Sequence, residues 1–308
     1  MTPPRNSGRL HLREGLEMIV GALLIGLVIL GLGFGAAVIA SARARGELGL
    51  KPEAIVLGFV TNFFDTLGIG SFAPTTAWLK LRGIVPDSYI PAVLNVGHAI
   101  PTVVEALIFI RLVRVDPWLL GACIAASAAG AVVGAPIVVR LPVRAVQAVV
   151  GVALLAAVGA FTLTNLGLMP GGGAALSLPP PLFALAVGLY FVLGALMTCG
   201  IGAYAPSLVM FSLLGLDTRA AFPIMMGACA FLMPASSVGF LRSRRIDLKV
   251  VLAIALGGVP AVLLAALVVK SLPLTIIRWG VVAIVFYTAA LLLRSAFRPV
   301  AEAAPAVA

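Results

Sequence analysis

The stretch Gly68-Ile69-Gly70-Ser71-Phe72-Ala73-Pro74 returns as Gly200-Ile201-Gly202-Ala203-Tyr204-Ala205-Pro206, and both copies sit inside long apolar runs. Glycine takes backbone angles that other residues resist, so Gly68 and Gly70 let a helix break. Pro74 suits the first turn of a following helix, where its missing N–H costs nothing. The phrase therefore predicts a helix that stops and restarts, with free N–H groups at Ser71, Phe72 and Ala73, and again at Ala203, Tyr204 and Ala205. Two helix N-termini brought together supply donors and a partial positive field, which is an anion site built mainly from backbone. Thr75 and Ser207 add hydroxyls that can bind an anion's oxygens or re-satisfy backbone freed at the break. The candidate binding residues are Gly68, Ile69, Gly70, Ser71, Phe72 and Thr75 in the first copy. Their counterparts are Gly200, Ile201, Gly202, Ala203, Tyr204 and Ser207. A single such phrase would read as a packing kink; its duplication favours a site.

Three more residues are candidates for coupling a second ion to the anion: Asp65, Asn95 and His98. Asp65 precedes the first break by three residues, and Met197 stands at the same place before the second. A carboxylate at that depth is costly without a role or partner. It can carry a proton or hold a cation, or it can cap the break or pair with an arginine. If it lies beside an anion, it must be protonated during transport, because like charges repel. His98 can relay a proton or bind an anion when charged, or simply hydrogen-bond a carbonyl. Glu105, seven residues on and roughly on the same helix face, is assigned a structural pairing with His98 or with Arg111. Cys123, Cys199 and Cys229 are scattered, with no CxxC or metal-ligand spacing, so neither a metal, a cofactor nor a thiol relay is expected. No nucleotide motif or nucleophile–base set points to an enzyme.

The elements that must position these groups are apolar helices. Of the 308 residues, 62% are hydrophobic and 10% charged, against about 25% charged in a soluble domain. Spans are expected at about 17–40, 89–110, 118–140, 143–165, 219–241, 248–270 and 274–294. The first is read as a retained span, since it is too long for a signal-peptide core. Segments 54–82 and 181–214 carry the two breaks. The net charge of +10 is assigned to loops facing the cytoplasm and anionic lipid, not to nucleic acid.

The chain also repeats itself. A shift of about 132 residues superposes the two phrases, Gly83 on Gly215 and Pro91 on Pro223, and one residue less puts Asp116 on Asp247. The organisation is a tail and first helix (1–50), repeat 1 (51–165), a Gly/Pro-rich uncharged linker (166–180), repeat 2 (181–298) and a tail (299–308). If each break segment enters and leaves on one side, Arg242, Arg244, Arg245 and Lys249 fall on the inner side, as the positive-inside rule prefers, although Arg5, Arg9 and Arg13 then lie outside. Each repeat is then a hairpin of half-helices, about 12 residues long, plus three spans. An odd number of crossings makes the second repeat inverted. The fold class is thus all-α polytopic membrane protein, two inverted repeats with one extra N-terminal helix. Gly31 and Gly35 on that helix form a close-packing pair, within the molecule or at a homodimer seam.

In these two GIG…P phrases, its small-residue-rich spans and its length, the chain resembles the TauE/SafE family of sulfite exporters and anion permeases. Family members generally carry a further Gly where Ser71 and Ala203 stand here. The resemblance implies transport of sulfite, sulfonates or other sulfur-containing small acids across a bacterial inner membrane. The expected partners are that anion, lipid and a proton or cation. A passive anion channel and a permease for a non-sulfur carboxylate are the alternatives.

Overall fold

The computed structural model describes residues 7–134, 143–168, 173–198, 200–243, 245–271 and 274–297. Among these, every regular element is helical. The first three are α1 (Ser7–Ala44), α2 (Pro52–Thr66) and α3 (Phe72–Arg82). A 3-10 turn (Asp87–Tyr89) leads to α4 (Ile90–Gly97), α5 (Ala99–Leu112) and α6 (Pro117–Ala129). Then come α7 (Val143–Asn165), α8 (Pro180–Thr198), α9 (Tyr204–Leu213), α10 (Ala221–Ser243), α11 (Leu248–Ser271) and α12 (Leu274–Phe297). Five helical stretches are long and apolar enough to cross a membrane: Glu17–Ala44, Asp87–Leu112, Pro180–Thr198, Ala221–Arg242 and Leu248–Val268. The chain is accordingly an all-α membrane protein.

Three expectations need correction. The span at 89–110 is jointed at His98, because Pro101 has no N–H to give the Gly97 carbonyl. In the span at 118–140, α6 gives way to a π turn at Gly130–Gly134, and residues 135–140 lie outside those described. The arms beside the breaks are unequal. The α2, α3 and α9 helices have 15, 11 and 10 residues, but α8 has 19. At 1.5 Å per residue α8 reaches about 28 Å, nearly a full membrane crossing, whereas α9 reaches about 15 Å.

Both broken pairs nevertheless return to the end of the bundle from which they start. At the base of α2 and α3, Glu53 accepts from Arg82 Nε (2.7 Å) and Trp78 Nε1 (3.1 Å), and Lys51 Nζ donates to the Ile84 carbonyl (3.3 Å). The same end holds the Lys51–Asp247 ion pair (2.8 Å), the Glu47 bond to the Leu248 N–H (3.0 Å) and the bond from Arg45 to the Leu241 carbonyl. At the base of α8 and α9 the linker closes the loop instead. The Asp217 N–H donates to Ala175 (2.8 Å), and the Asp116 N–H donates to Leu176 (3.0 Å). Since α4 and α5 run from the 3-10 turn to the loop before Asp116, the two hairpins start from opposite ends.

The packing exchanges partners between the halves in a reciprocal way. The α2 helix lies against α11, while α8 lies against α6; α7 pairs with α12, and α5 with α10. Two of these seams are glycine contacts: Gly257 meets the Ile55 carbonyl, and Gly194 meets the Ser127 carbonyl. Asp116 and Asp247, superposed by the internal repeat, both cap the helix that follows them, through Trp118 N (2.9 Å) and Lys249 N (3.0 Å). A side chain at Gly257 would overlap backbone that cannot yield, so Gly257→Val is expected to destabilise the protein by about 3 kcal/mol or more. Gly188→Ala, which meets open space, is expected to be neutral. Thermal unfolding of both variants in detergent checks this.

Candidate functional site

The two breaks are built alike. In the first, the Gly68 N–H bonds Asp65 C=O (2.7 Å) and the Ile69 N–H bonds Phe64 C=O (3.1 Å); in the second, Gly200 bonds Met197 (3.0 Å) and Ile201 bonds Leu196 (3.4 Å). Each new helix then opens with one bond, Thr75 N–H to Ser71 C=O or Ser207 N–H to Ala203 C=O, both 3.0 Å. Gly70 turns the chain with φ +85°, a left-handed conformation that costs other residues energy. Gly202, its counterpart, has no positive φ, so the second turn depends on Gly200 (φ +85°) alone.

The tips touch, and they do so reciprocally. A methyl on Gly70 would lie 3.8 Å from Tyr204 Cβ, and one on Gly202 would lie 3.7 Å from Phe72 Cβ. Positions 70 and 72 correspond to 202 and 204. Between the tips is a cavity of about 20 Å3, room for about one water molecule. Of the predicted residues, Gly70, Ser71, Phe72, Gly202, Ala203 and Tyr204 line it, together with Asp65. Thr102, Met197, Cys229 and Met233 complete the wall, and Met197 Sδ lies 3.5 Å from Cys229 Sγ. Gly68 and Gly200 instead pack against Phe222 and Leu94. Thr75 turns to His98, and Ser207 bonds the Ala203 carbonyl (2.7 Å). Ile69 and Ile201 are not among the lining residues. Asn95 bonds the Pro91 carbonyl (2.9 Å) and faces Ser236 (3.4 Å), away from the cavity.

Asp65 caps the second arm of its own hairpin. Its Oδ1 accepts the Ser71 N–H at 2.7 Å, so that N–H is not free as the sequence suggested. No carboxylate serves Ala203 in this way, because Met197 holds the corresponding place. Phe72 and Ala73, like Tyr204 and Ala205, keep N–H groups that precede the first helical bond.

Behind the cavity runs a buried polar chain. His98 Nε2 lies 3.0 Å from Thr75 Oγ1 and its Nδ1 lies 3.0 Å from Asn62 Oδ1, while Asn62 Nδ2 donates to the Gly58 carbonyl (2.7 Å). Glu105 is the member that sequence reasoning undervalued. It bonds neither His98 nor Arg111. Its Oε1 lies 2.7 Å from Thr66 Oγ1 at the end of α2, and its Oε2 accepts from the Tyr204 hydroxyl (2.8 Å) at the start of α9. Glu105 is fully buried, so one carboxyl group ties the first break to the second. The signal was present in the spacing of His98, Thr102 and Glu105, which share one helix face. Only the fold shows that this face meets both tips.

No protein-family profile, curated protein or solved structure matches the chain. The difference between the two glycine turns is directly measurable. Gly70→Ala is expected to cost about 1–2 kcal/mol through its left-handed backbone, and Gly202→Ala much less, read as detergent unfolding midpoints.

Proposed function

We propose that this chain is a secondary transporter for a small anion. The observation that carries the reading is the meeting of two helix restarts, from hairpins that start at opposite ends, around one small cavity that Asp65 also lines. Backbone N–H groups of Phe72 and Tyr204, which line the cavity, would face the anion, and the hydroxyl of Ser71 would fix its orientation. The reciprocal packing of α2 on α11 and α8 on α6 supports a pair of inverted repeats. Movement of one set against the other would expose the cavity to each side in turn. The cavity is too small for a four-atom oxyanion as it stands, which fits an occluded state whose tips must part to load.

The substrate class comes from the TauE/SafE resemblance: sulfite, a sulfonate or a related sulfur-containing acid, moved across a bacterial inner membrane. Asp65 and Glu105 both flank the site, and an anion shares such a place only when the negative charges there are neutralised. Proton coupling follows from that requirement. A passive pore would use the same N–H groups but could not concentrate its ion. In proteoliposomes loaded alkaline and diluted into acid, with the potential clamped, sulfite, thiosulfate, a sulfonate and a carboxylate are offered in turn. Accumulation above the external concentration, abolished by a protonophore, is expected for at least one sulfur oxyanion. Flux that only equilibrates makes the protein a pore, and no flux of any of the four ends the anion reading.

A further inference from the structure

The hydrogens around Glu105 can be counted. Three oxygen pairs lie within bonding distance: Glu105 Oε1 to Thr66 Oγ1 (2.7 Å), Thr66 Oγ1 to the Asn62 carbonyl (2.9 Å), and Tyr204 Oη to Glu105 Oε2 (2.8 Å). Three such contacts need three hydrogens, but Thr66 and Tyr204 bring only one each. A proton on Glu105 Oε1 is the third. Glu105 then donates to Thr66, Thr66 passes its own hydrogen to Asn62, and Tyr204 donates to Oε2. Without that proton, Thr66 must divide its one hydrogen between the Asn62 carbonyl and Glu105. A negative charge would also sit fully buried with no cation beside it. The groups that act on Glu105 are Asp65 and Thr66 from α2, Tyr204 from α9 and Cys229 from α10, and none of them is basic. No described ionisable side chain of α1 or α11 acts on it.

The neighbouring histidine needs no such proton. Asn62 Nδ2 is engaged with Gly58, so its Oδ1 faces His98 and takes the Nδ1–H. Thr75 then donates to Nε2. A neutral His98 completes every bond in its chain. Asp65 accepts the Ser71 N–H through Oδ1, a bond it makes with or without a proton of its own.

From this inventory we infer that Glu105 is a proton-binding site of the protein, and that its proton latches the two hairpin tips together. With the proton on, Thr66 at the end of α2 and Tyr204 at the start of α9 are bonded through a neutral carboxylic acid. When the proton passes to water, the remaining carboxylate draws water into the contact, and the tips separate. The inference rests on the transporter reading and assigns its coupling step to α5, a helix that belongs to neither hairpin. It also gives a reason for the unlike partners at the tips: Thr66 is matched by Thr198, but Tyr204 by Phe72, which has no hydroxyl. The latch is therefore built once and not twice.

The test needs no substrate. Infrared difference spectra of the full chain in lipid nanodiscs, taken between acid and alkaline pH, are expected to show a carboxylic-acid carbonyl band. That band should vanish in Glu105→Gln and survive in Asp65→Asn. Spin labels carried by non-natural residues at the exposed positions Leu81 and Leu213 report the separation of the two hairpins. The wild-type separation is expected to change as pH rises. Glu105→Gln, whose amide mimics the protonated acid, should keep the acid-form separation throughout. Tyr204→Phe, which loses the latch bond, should show the alkaline-form separation already at acid pH. The inference is overturned if the band disappears in Asp65→Asn and not in Glu105→Gln, if Glu105→Gln still responds to pH, or if the wild type does not respond. A latch that behaves as described in a protein that moves none of the four anions would leave this inference standing and remove the transport reading.

Discussion

A chain that stops being helical inside an apolar bundle must find a partner for each backbone group it frees. That constraint organises the interior of this protein. At each break two turn bonds recover carbonyls of the ending helix, and the next helix begins soon after, at Phe72 following Thr66 and at Tyr204 following Thr198. What remains is a short set of N–H groups at each tip. In the first half Asp65 takes one of them. In the second no carboxylate is available, and Ala203 instead faces the shared cavity. The tips can exist at this depth because each shields the other: the Gly70 turn lies against Tyr204, and Gly202 lies against Phe72.

The scaffold is close to symmetric, while the chemistry placed on it is not. Glycine seams and helix caps recur in both halves. The buried polar chain of Thr75, His98, Asn62, Thr66 and Glu105 belongs wholly to the first half and ends on one hydroxyl from the second, Tyr204. Positions that carry Asp65 and His98 in the first half carry Met197 and Ala230 in the second.

The bases of the hairpins differ in the same spirit. The first is closed by Glu53, Trp78 and Arg82, with exposed ionic contacts that contribute little to stability but fix where the arms end. The second is closed by backbone bonds from the Gly/Pro-rich linker, which carries no charge. Its first arm, α8, is long enough to reach across the bundle, so the second hairpin is a long helix with a short return and not a pair of equal halves.

Much of this was legible in the amino-acid order. Hydropathy marked the helices, because a membrane interior tolerates little else. The recurrence of seven residues marked the two breaks, because glycine and proline act on local backbone geometry that needs no distant partner. The balance of Lys and Arg pointed to hairpins that return to their own side. Other features depended on neighbours far away in sequence. Whether Ser71 N–H is free was decided by the side chain of Asp65 curling onto it, and only the folded backbone shows that Gly202, unlike Gly70, turns without a positive φ. Glu105 looked like a partner for His98 seven residues back, since spacing along one helix is all that a sequence displays. Its actual partners, Thr66 and Tyr204, are 39 and 99 residues away. A buried carboxyl group takes its role from whichever donors surround it, and only the tertiary packing brings those donors there.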